Sequence, residues 1–240
     1  MEAKGSSDPY PLSLGVDYCI LWKDNIYIRL VYWVYRVVYE DKERRVEMDQ
    51  KPEEYSITDD GIEMTTKPHT DLWQRTYYHF RNDNAPLLQL KTSKRYFSFV
   101  VKTSFQSKAR FDQCGIVMYL DSENWLKASI EYENQVYQHL GSVVTNNGYS
   151  DWATTEIDAG IKRMWYRLSR REDDYCIECS HDGIKFKQMR ICHMYKGGGE
   201  IEFGIYACSP EDSSFKAIFT DMEVTECMWL SHNGQAPDED

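Results

Sequence analysis

From about residue 48 onward the chain is a succession of short runs rich in β-branched and aromatic residues, each closed by a turn signal. That rhythm constrains the fold more than any other feature. Strands bury one face through period-two alternation, whereas helices need apolar residues three to four positions apart. Glu54–Thr58 halts at Asp59, Asp60 and Gly61, a hairpin signal, and Ile62–Thr66 resumes the pattern. Trp73–Phe80 forms a second, aromatic run, and Tyr96–Thr103 alternates as a strand with one buried face does. Cys114–Leu120 leads through Asp121–Asn124 into Trp125–Glu133. Met164–Arg170, Tyr175–Ser180, Ile184–Lys187, Ile201–Ala207 and Phe215–Val224 continue the series. No capped amphipathic segment of helix length follows residue 48. The expectation is an all-β, two-sheet antiparallel sandwich over residues 48–230. Residues 1–47 are then an N-terminal extension, and 231–240 a disordered acidic tail.

The extension carries a hydrophobic stretch, Tyr18–Tyr39, that suits either strands or a helix face. Lys23, Asp24, Arg29 and Arg36 interrupt it, and charges at these positions argue against a membrane span. The run Glu40–Glu47 reads as a solvated face. Seven cysteines, an odd number, and a polar N-terminus predict reduced thiols and a cytoplasmic protein. A formal net charge of −11 excludes an overall basic footprint for nucleic acid and disfavours anionic membranes. Neutral or cationic ligands suit such a chain better. The aromatic share of 14%, from 18 Tyr, 7 Trp and 9 Phe, fits a sandwich core or a sugar-stacking face.

Trp125–Glu133 is the most informative strand. Alternation puts Leu126, Ala128, Ile130 and Tyr132 toward the core, and Trp125, Lys127, Ser129, Glu131 and Glu133 on the other face. A tryptophan, a lysine and a carboxylate in a row suit a polyol, through stacking and charged hydrogen bonds. A solvated sheet face with a cross-strand ion pair explains the same pattern. Glu131 and Glu133 lie roughly 6–7 Å apart along a strand, near the spacing of glycosidase carboxylates. Cys176 and Cys179 resemble a metal or redox pair in spacing, but within a strand they point to opposite faces and read as buried small hydrophobes. The histidines show no ligand spacing; His79 is a candidate binding residue beside Arg75 and Tyr77 on one side of an aromatic strand. Gly197–Gly199 reads as a turn. No metal, cofactor or catalytic motif is expected.

Seven blocks, in order, resemble a domain-of-unknown-function family named after regulation of enolase protein, within the concanavalin A-like lectin/glucanase superfamily. They are Asp71–Phe80, Phe111–Asp121, Glu123–Tyr132, Ser150–Trp152, Trp165–Arg170, His181–Gly183 with Phe186, and Cys208–Glu211. The resemblance spans about Pro52 to Val224 and implies a concanavalin A-like jelly roll whose concave face holds a ligand. It supplies no reaction. This chain has Cys114 and Ser129 where the family commonly has Ala and Gly, and Tyr77 where His is frequent. Hydrolases sharing the sandwich resemble one another in a strand with three carboxylates; here Glu131 and Glu133 are followed by Asn134 and Gln135, so the third is missing.

The reading that follows is a non-catalytic module recognising a saccharide or small polar metabolite, with a link to carbohydrate metabolism. Trp73 and Trp152 would stack, and Arg75, Lys127 and Arg167 would donate hydrogen bonds. Glu131 would accept hydrogen bonds or pair with Lys127, with Tyr77 and Gln113 completing the face. The alternatives are a regulator that docks on a metabolic enzyme such as enolase through residues 18–39, and a cryptic glycoside hydrolase using Glu131 and Glu133.

Overall fold

In Tyr96–Phe105 the alternation translates directly into burial: Phe97, Phe99, Val101, Thr103 and Phe105 all point inward. The same physics repeats through the computed structural model, which describes residues 51–58 and 60–230. The expected extension 1–47 with its 18–39 stretch, and the tail 231–240, lie outside the described residues. Fifteen strands and no helix occupy the described part. In chain order they are β1 (Glu54–Thr58), β2 (Gly61–Thr65), β3 (Leu72–Gln74), β4 (Arg81–Asp83) and β5 (Leu87–Thr92). Next come β6 (Tyr96–Phe105), β7 (Gln113–Asp121), β8 (Asn124–Tyr132), β9 (Tyr137–Asn146) and β10 (Tyr149–Asp158). The last five are β11 (Arg163–Arg171), β12 (Asp174–Ser180), β13 (Lys187–His193), β14 (Ile201–Cys208) and β15 (Lys216–Thr225).

The strands form two large antiparallel sheets. One has seven strands in the order β1-β2-β15-β6-β11-β12-β13, the other six in the order β10-β9-β8-β7-β14-β5. A small β3-β4 ribbon makes a third sheet. Side chains from the inner faces of both large sheets share one core, as in any face-to-face sandwich. Phe97 and Phe99 of β6 meet Phe203 of β14 at ring-centroid distances of 4.6 and 5.3 Å. Each such phenyl group, removed from water, contributes about 2 kcal/mol. Leu126, Ala128 and Ile130 of β8 point into this core, as their alternation requires.

Two strand expectations are corrected. Trp73–Phe80 is not a strand: β3 stops at Gln74, and Arg75, Tyr77 and His79 take φ of 55°, 61° and 62°. Alternate residues in the left-handed region fold the aromatic run into a turn, so His79 shares no strand face with Arg75 and Tyr77. The strand after His181–Gly183 runs over Lys187–His193 and so starts only at the last residue of the expected Ile184–Lys187. β9 and β10, unforeseen, are joined by Asn147 (φ 52°) and Gly148 (φ 74°), a two-residue turn of the type Asn-Gly favours. Cys179 lies in the shared core, whereas Cys176 faces outward and is covered there, so the pair does not converge.

Arg170, on β11, is fully buried at one end of the sandwich and makes no ion pair among the described residues. Its guanidinium donates to four backbone carbonyls: Glu172 at 2.7 Å, Lys94 at 2.9 Å, Gly197 at 2.8 Å and Gly199 at 2.7 Å. It thereby ties three loops together, and the Gly197–Gly199 turn is held from its carbonyl side. Arg170→Ala leaves these acceptors without a donor in a buried place, and we expect a loss of about 3 kcal/mol in urea unfolding. Arg190→Ala, which removes a pair with the exposed Asp151 and one hydrogen bond to the Asp151 carbonyl, should cost only about 1 kcal/mol in the same assay.

Candidate functional site

The outward face of the six-stranded sheet is not a solvated surface. At one end the β3-β4 ribbon lies over it and builds a second apolar cluster, including Leu72, Trp73, Val117, Trp125, Val143 and Tyr206. Trp125 is completely buried there, with its indole N–H donating to the Ser122 carbonyl at 3.3 Å. This corrects its expected place on an open face: Trp125 is a packing residue and offers no ring to a ligand. The remainder of the face stays uncovered as a cleft of about 570 Å³, a size typical of small-molecule sites.

The floor of the cleft is a hydrogen-bonded row across β7, β8 and β14. Lys127 is only 4% exposed, so its ammonium group needs partners. It donates to Gln113 Oε1 at 2.9 Å and to Asp71 Oδ1 at 3.2 Å. Its Nζ also lies over the Tyr206 and Trp125 rings, at 5.6 and 5.9 Å. Burial opposes the charge, but Asp71 and the neighbouring acidic groups outweigh it and hold the Lys127 pKa above its ordinary value. Tyr206 also donates to Gln113 Oε1, at 3.0 Å. With two donors on its oxygen, the Gln113 amide nitrogen must turn the other way, and it donates to Glu131 Oε2 at 3.0 Å. Gln113 thus stands between Lys127 and Glu131, so of the two expected roles Glu131 accepts a hydrogen bond, from Gln113, and makes no direct pair with Lys127.

Burial pushes the Glu131 pKa up to about 7; Lys127 and the Gln113 hydrogen bond oppose the rise, and Asp71 and Glu133 add to it. A carboxyl group titrating there both donates and accepts hydrogen bonds near neutrality. Glu133 is held by Arg110 at 2.9 Å, and Arg110 in turn stacks over Phe111 at 4.4 Å. Both carboxylates near Glu131 on this floor are therefore engaged, Asp71 by Lys127 and Glu133 by Arg110. The Cys208 thiol below is pushed well above its ordinary range by burial and is no nucleophile.

The walls are aromatic. Trp152 of β10 lies across Gly141 of β9; a Cβ at Gly141 would sit 2.9 Å from the indole nitrogen, so only glycine admits this ring position. Trp152 meets Trp73 edge-to-face at 6.4 Å and His139 at 5.8 Å. Tyr78 and Phe80, from the turn of the ribbon, complete the rim. Beneath Trp152 a recess of about 10 Å³ reaches Glu131 and Ser129. The ribbon that carries Trp73 is fastened by Asp71 on Lys127, by the Gln74 N–H on Ser150 Oγ at 2.9 Å, and by Tyr119 on Asp83 at 2.8 Å.

Of the eight residues expected from sequence, Trp73, Gln113, Lys127, Glu131 and Trp152 line this cleft together. Three do not join them. Arg75 pairs with Glu123 at 3.1 Å and covers the Tyr149 ring, away from the floor. Tyr77 is 82% exposed and borders a neighbouring hollow of about 410 Å³. Arg167 lies on the outer face of the seven-stranded sheet, bound to Glu178 at 2.5 and 2.8 Å and stacked on Phe186. Sequence reasoning missed Asp71, Tyr78, Phe80, Arg110 and His139. Asp71 opens the first of the seven resembling blocks, and a buried lysine's need for a counter-charge was the signal that could have found it. Elsewhere, Asp173, Asp174 and His193 gather at a partly exposed edge, where His193 Nδ1 lies 2.7 Å from Asp174.

A two-sheet antiparallel sandwich of the concanavalin A-like type, with a polar-floored aromatic cleft on one face, is the class this geometry defines. Residues 49–227 match the family described as Protein of unknown function (DUF1349), and the chain belongs to that family. It is 30% identical over 165 residues to Regulation of enolase protein 1 of Saccharomyces cerevisiae, covering 68% of this chain and 81% of the yeast protein. A crystal structure of a functionally unknown protein from Saccharomyces cerevisiae is similar with a TM-score of 0.71 at 27% identity, over 77% of this chain and 97% of that one. The GH43 protein BlXynB from Bacillus licheniformis shares the fold with a TM-score of 0.55 at 17% identity, over 73% of this chain and 35% of its own. An alginate lyase from Klebsiella pneumoniae does so with a TM-score of 0.51 at 11% identity, over 76% and 86% of the two chains.

The raised Glu131 pKa has a consequence for stability. A carboxyl that is easier to protonate folded than unfolded stabilises the fold at low pH, and that contribution is lost as pH rises from about 4.5 through about 7. Glu131→Gln keeps an acceptor for Gln113 and removes the titration. Its stability relative to the unsubstituted protein should therefore grow by on the order of 2–3 kcal/mol between pH 4.5 and 8, measured by urea unfolding.

Proposed function

We propose that this domain is a binding module that holds a saccharide or small polar metabolite in the cleft on the six-stranded sheet. One observation carries the reading: Trp73 and Trp152 wall a floor on which Lys127, Gln113 and Glu131 form a pre-arranged hydrogen-bonding row. Flat rings beside fixed polar groups match the two faces of a sugar, its apolar C–H side and its hydroxyls. The floor is ordered before any ligand arrives, because each member is fixed by the next, and a ligand therefore meets little ordering cost. The six described cysteines are free thiols, which supports, within this proposal, a cytoplasmic setting. Titration of a panel of neutral mono- and oligosaccharides, followed by calorimetry, tests the reading. We expect at least one to bind, with Trp152→Ala weakening it by about tenfold or more. Binding of none, or equal binding by the variant, would sink the saccharide reading.

A second reading is favoured by the name of the yeast relative, Regulation of enolase protein 1. In it the domain acts on a metabolic enzyme, and enolase is the partner to try first. Enolase turnover should change when this protein is added in equimolar amount. Unchanged turnover together with no complex on gel filtration would remove that reading.

A further inference from the structure

We infer that the ligand of this cleft carries a positive charge, as a substituted ammonium group seated between the Trp73 and Trp152 walls and Glu131. The inference rests on the cleft being a ligand site, and it names the chemistry that site selects.

The charges around the cleft do not balance. Four acidic side chains line it, Asp71, Glu131, Glu133 and Glu211, against two basic ones, Lys127 and Arg110. Both cations are spent: Lys127 lies 3.2 Å from Asp71 and Arg110 lies 2.9 Å from Glu133. Glu131 receives a hydrogen bond from the neutral Gln113 amide, and among the described residues neither it nor Glu211 makes an ion pair. A cation entering the cleft meets, on the floor, a carboxyl that Lys127 influences only from a distance, and another carboxyl at the rim that no ion pair holds among the described residues. An anion meets the same groups with no free cation to receive it. The chain's net charge of −11 draws cations and repels anions from a distance.

The walls point the same way. Indole faces attract cations, and substituted ammonium groups are the ligands that aromatic walls with a nearby carboxylate hold best. Trp73 and Trp152 stand nearly perpendicular, with an interplanar angle of 82°, so they form two sides of a corner. Phe111 is already covered by Arg110, which leaves Trp152, Tyr78 and Phe80 as open aromatic surface, while Trp73, 8% exposed, lines the cleft from within the apolar cluster.

Binding should be coupled to a proton. The groups facing Glu131 are Asp71 before β3, Gln113 on β7, Lys127 and Glu133 along and beyond β8, and His139 opposite it on β9. Arg110 and Glu211 face it from the loops. With its pKa near 7, Glu131 is largely protonated at pH 6 and ionised at pH 8. A cation favours the ionised form, so its affinity rises with pH and its binding releases a proton.

A matched pair of probes tests this: choline, permanently charged, and its neutral carbon isostere 3,3-dimethyl-1-butanol. Each is titrated into the full chain at pH 6 and 8 while the indole N–H resonance of Trp152 is followed by NMR. At pH 8 choline should bind about tenfold or more tightly than the isostere. Its affinity should fall several-fold at pH 6, while that of the isostere stays constant. Glu131→Gln should lose both the preference and the pH dependence, which separates Glu131 from His139. Glu211→Gln, altered only at the exposed rim, should weaken choline without touching the pH dependence. Equal affinity for the two probes would overturn the inference while leaving the cleft a ligand site. No shift with either probe would overturn it as well, and the saccharide panel then decides the broader reading separately. Saccharide binding without any cation preference would likewise contradict it.

Discussion

A lysine ammonium group deprived of water must find its partners within the fold, and Lys127 sets that condition at the centre of the six-stranded sheet. Its three donors reach toward Asp71 and Gln113, and toward the ring faces of Tyr206 and Trp125. Asp71 can answer only if the β3-β4 ribbon lies against the sheet, so one ion pair places the ribbon, and the ribbon places Trp73. Gln113 can answer only through its oxygen, which turns its nitrogen to Glu131. The position of the wall and the state of the floor both descend from one buried charge.

The two faces of the six-stranded sheet therefore do different work. The inner face is ordinary sandwich core, where Phe203, Ile116 and Ile130 exclude water and contribute most of the stability. The outer face is half core and half cleft, and its polar row is affordable because every member but Glu131 has a full set of partners nearby. Glu131, with one amide donor and acidic neighbours, is the group left with capacity for something that is not protein.

Strand periodicity made the sandwich legible from sequence wherever one face is core and the other is water. β6 follows from alternation alone, whereas β8 and β14 are recognisable as strands although both of their faces are buried. Periodicity misplaced side chains where a strand is buried on both faces, and it failed where the backbone leaves the strand region. Trp125 looked like a ligand-stacking ring because nothing in its own strand announces that a ribbon fifty residues earlier will cover it. Trp73–Phe80 looked like a strand because its aromatic composition is strand-like, while its left-handed residues are Arg75, Tyr77 and His79 and none is a glycine. Arg167 looked like a site residue for its type, but its register on β11 places it on the opposite sheet with Glu178 as neighbour. Five of the eight expected site residues do converge, because they sit at fixed parity on neighbouring strands or on the ribbon clamped to them. Asp71 was invisible for the complementary reason, since it joins the cleft through Lys127, a partner 56 residues off in sequence. His139 was missed because its strand, β9, was not foreseen, although it lies directly across from Glu131.

The central claim is that the floor of this cleft is desolvated and leaves Glu131 chemically available. The most direct measurement is the pH titration of the Glu131 side-chain carboxyl carbon by NMR, assigned by comparison with Glu131→Gln. The account predicts a midpoint of about 7, with a step transmitted to the Gln113 side-chain amide at the same pH. A midpoint in the ordinary glutamate range, near pH 4.5, with the Gln113 amide unmoved, would mean that water fills the floor and would contradict the account.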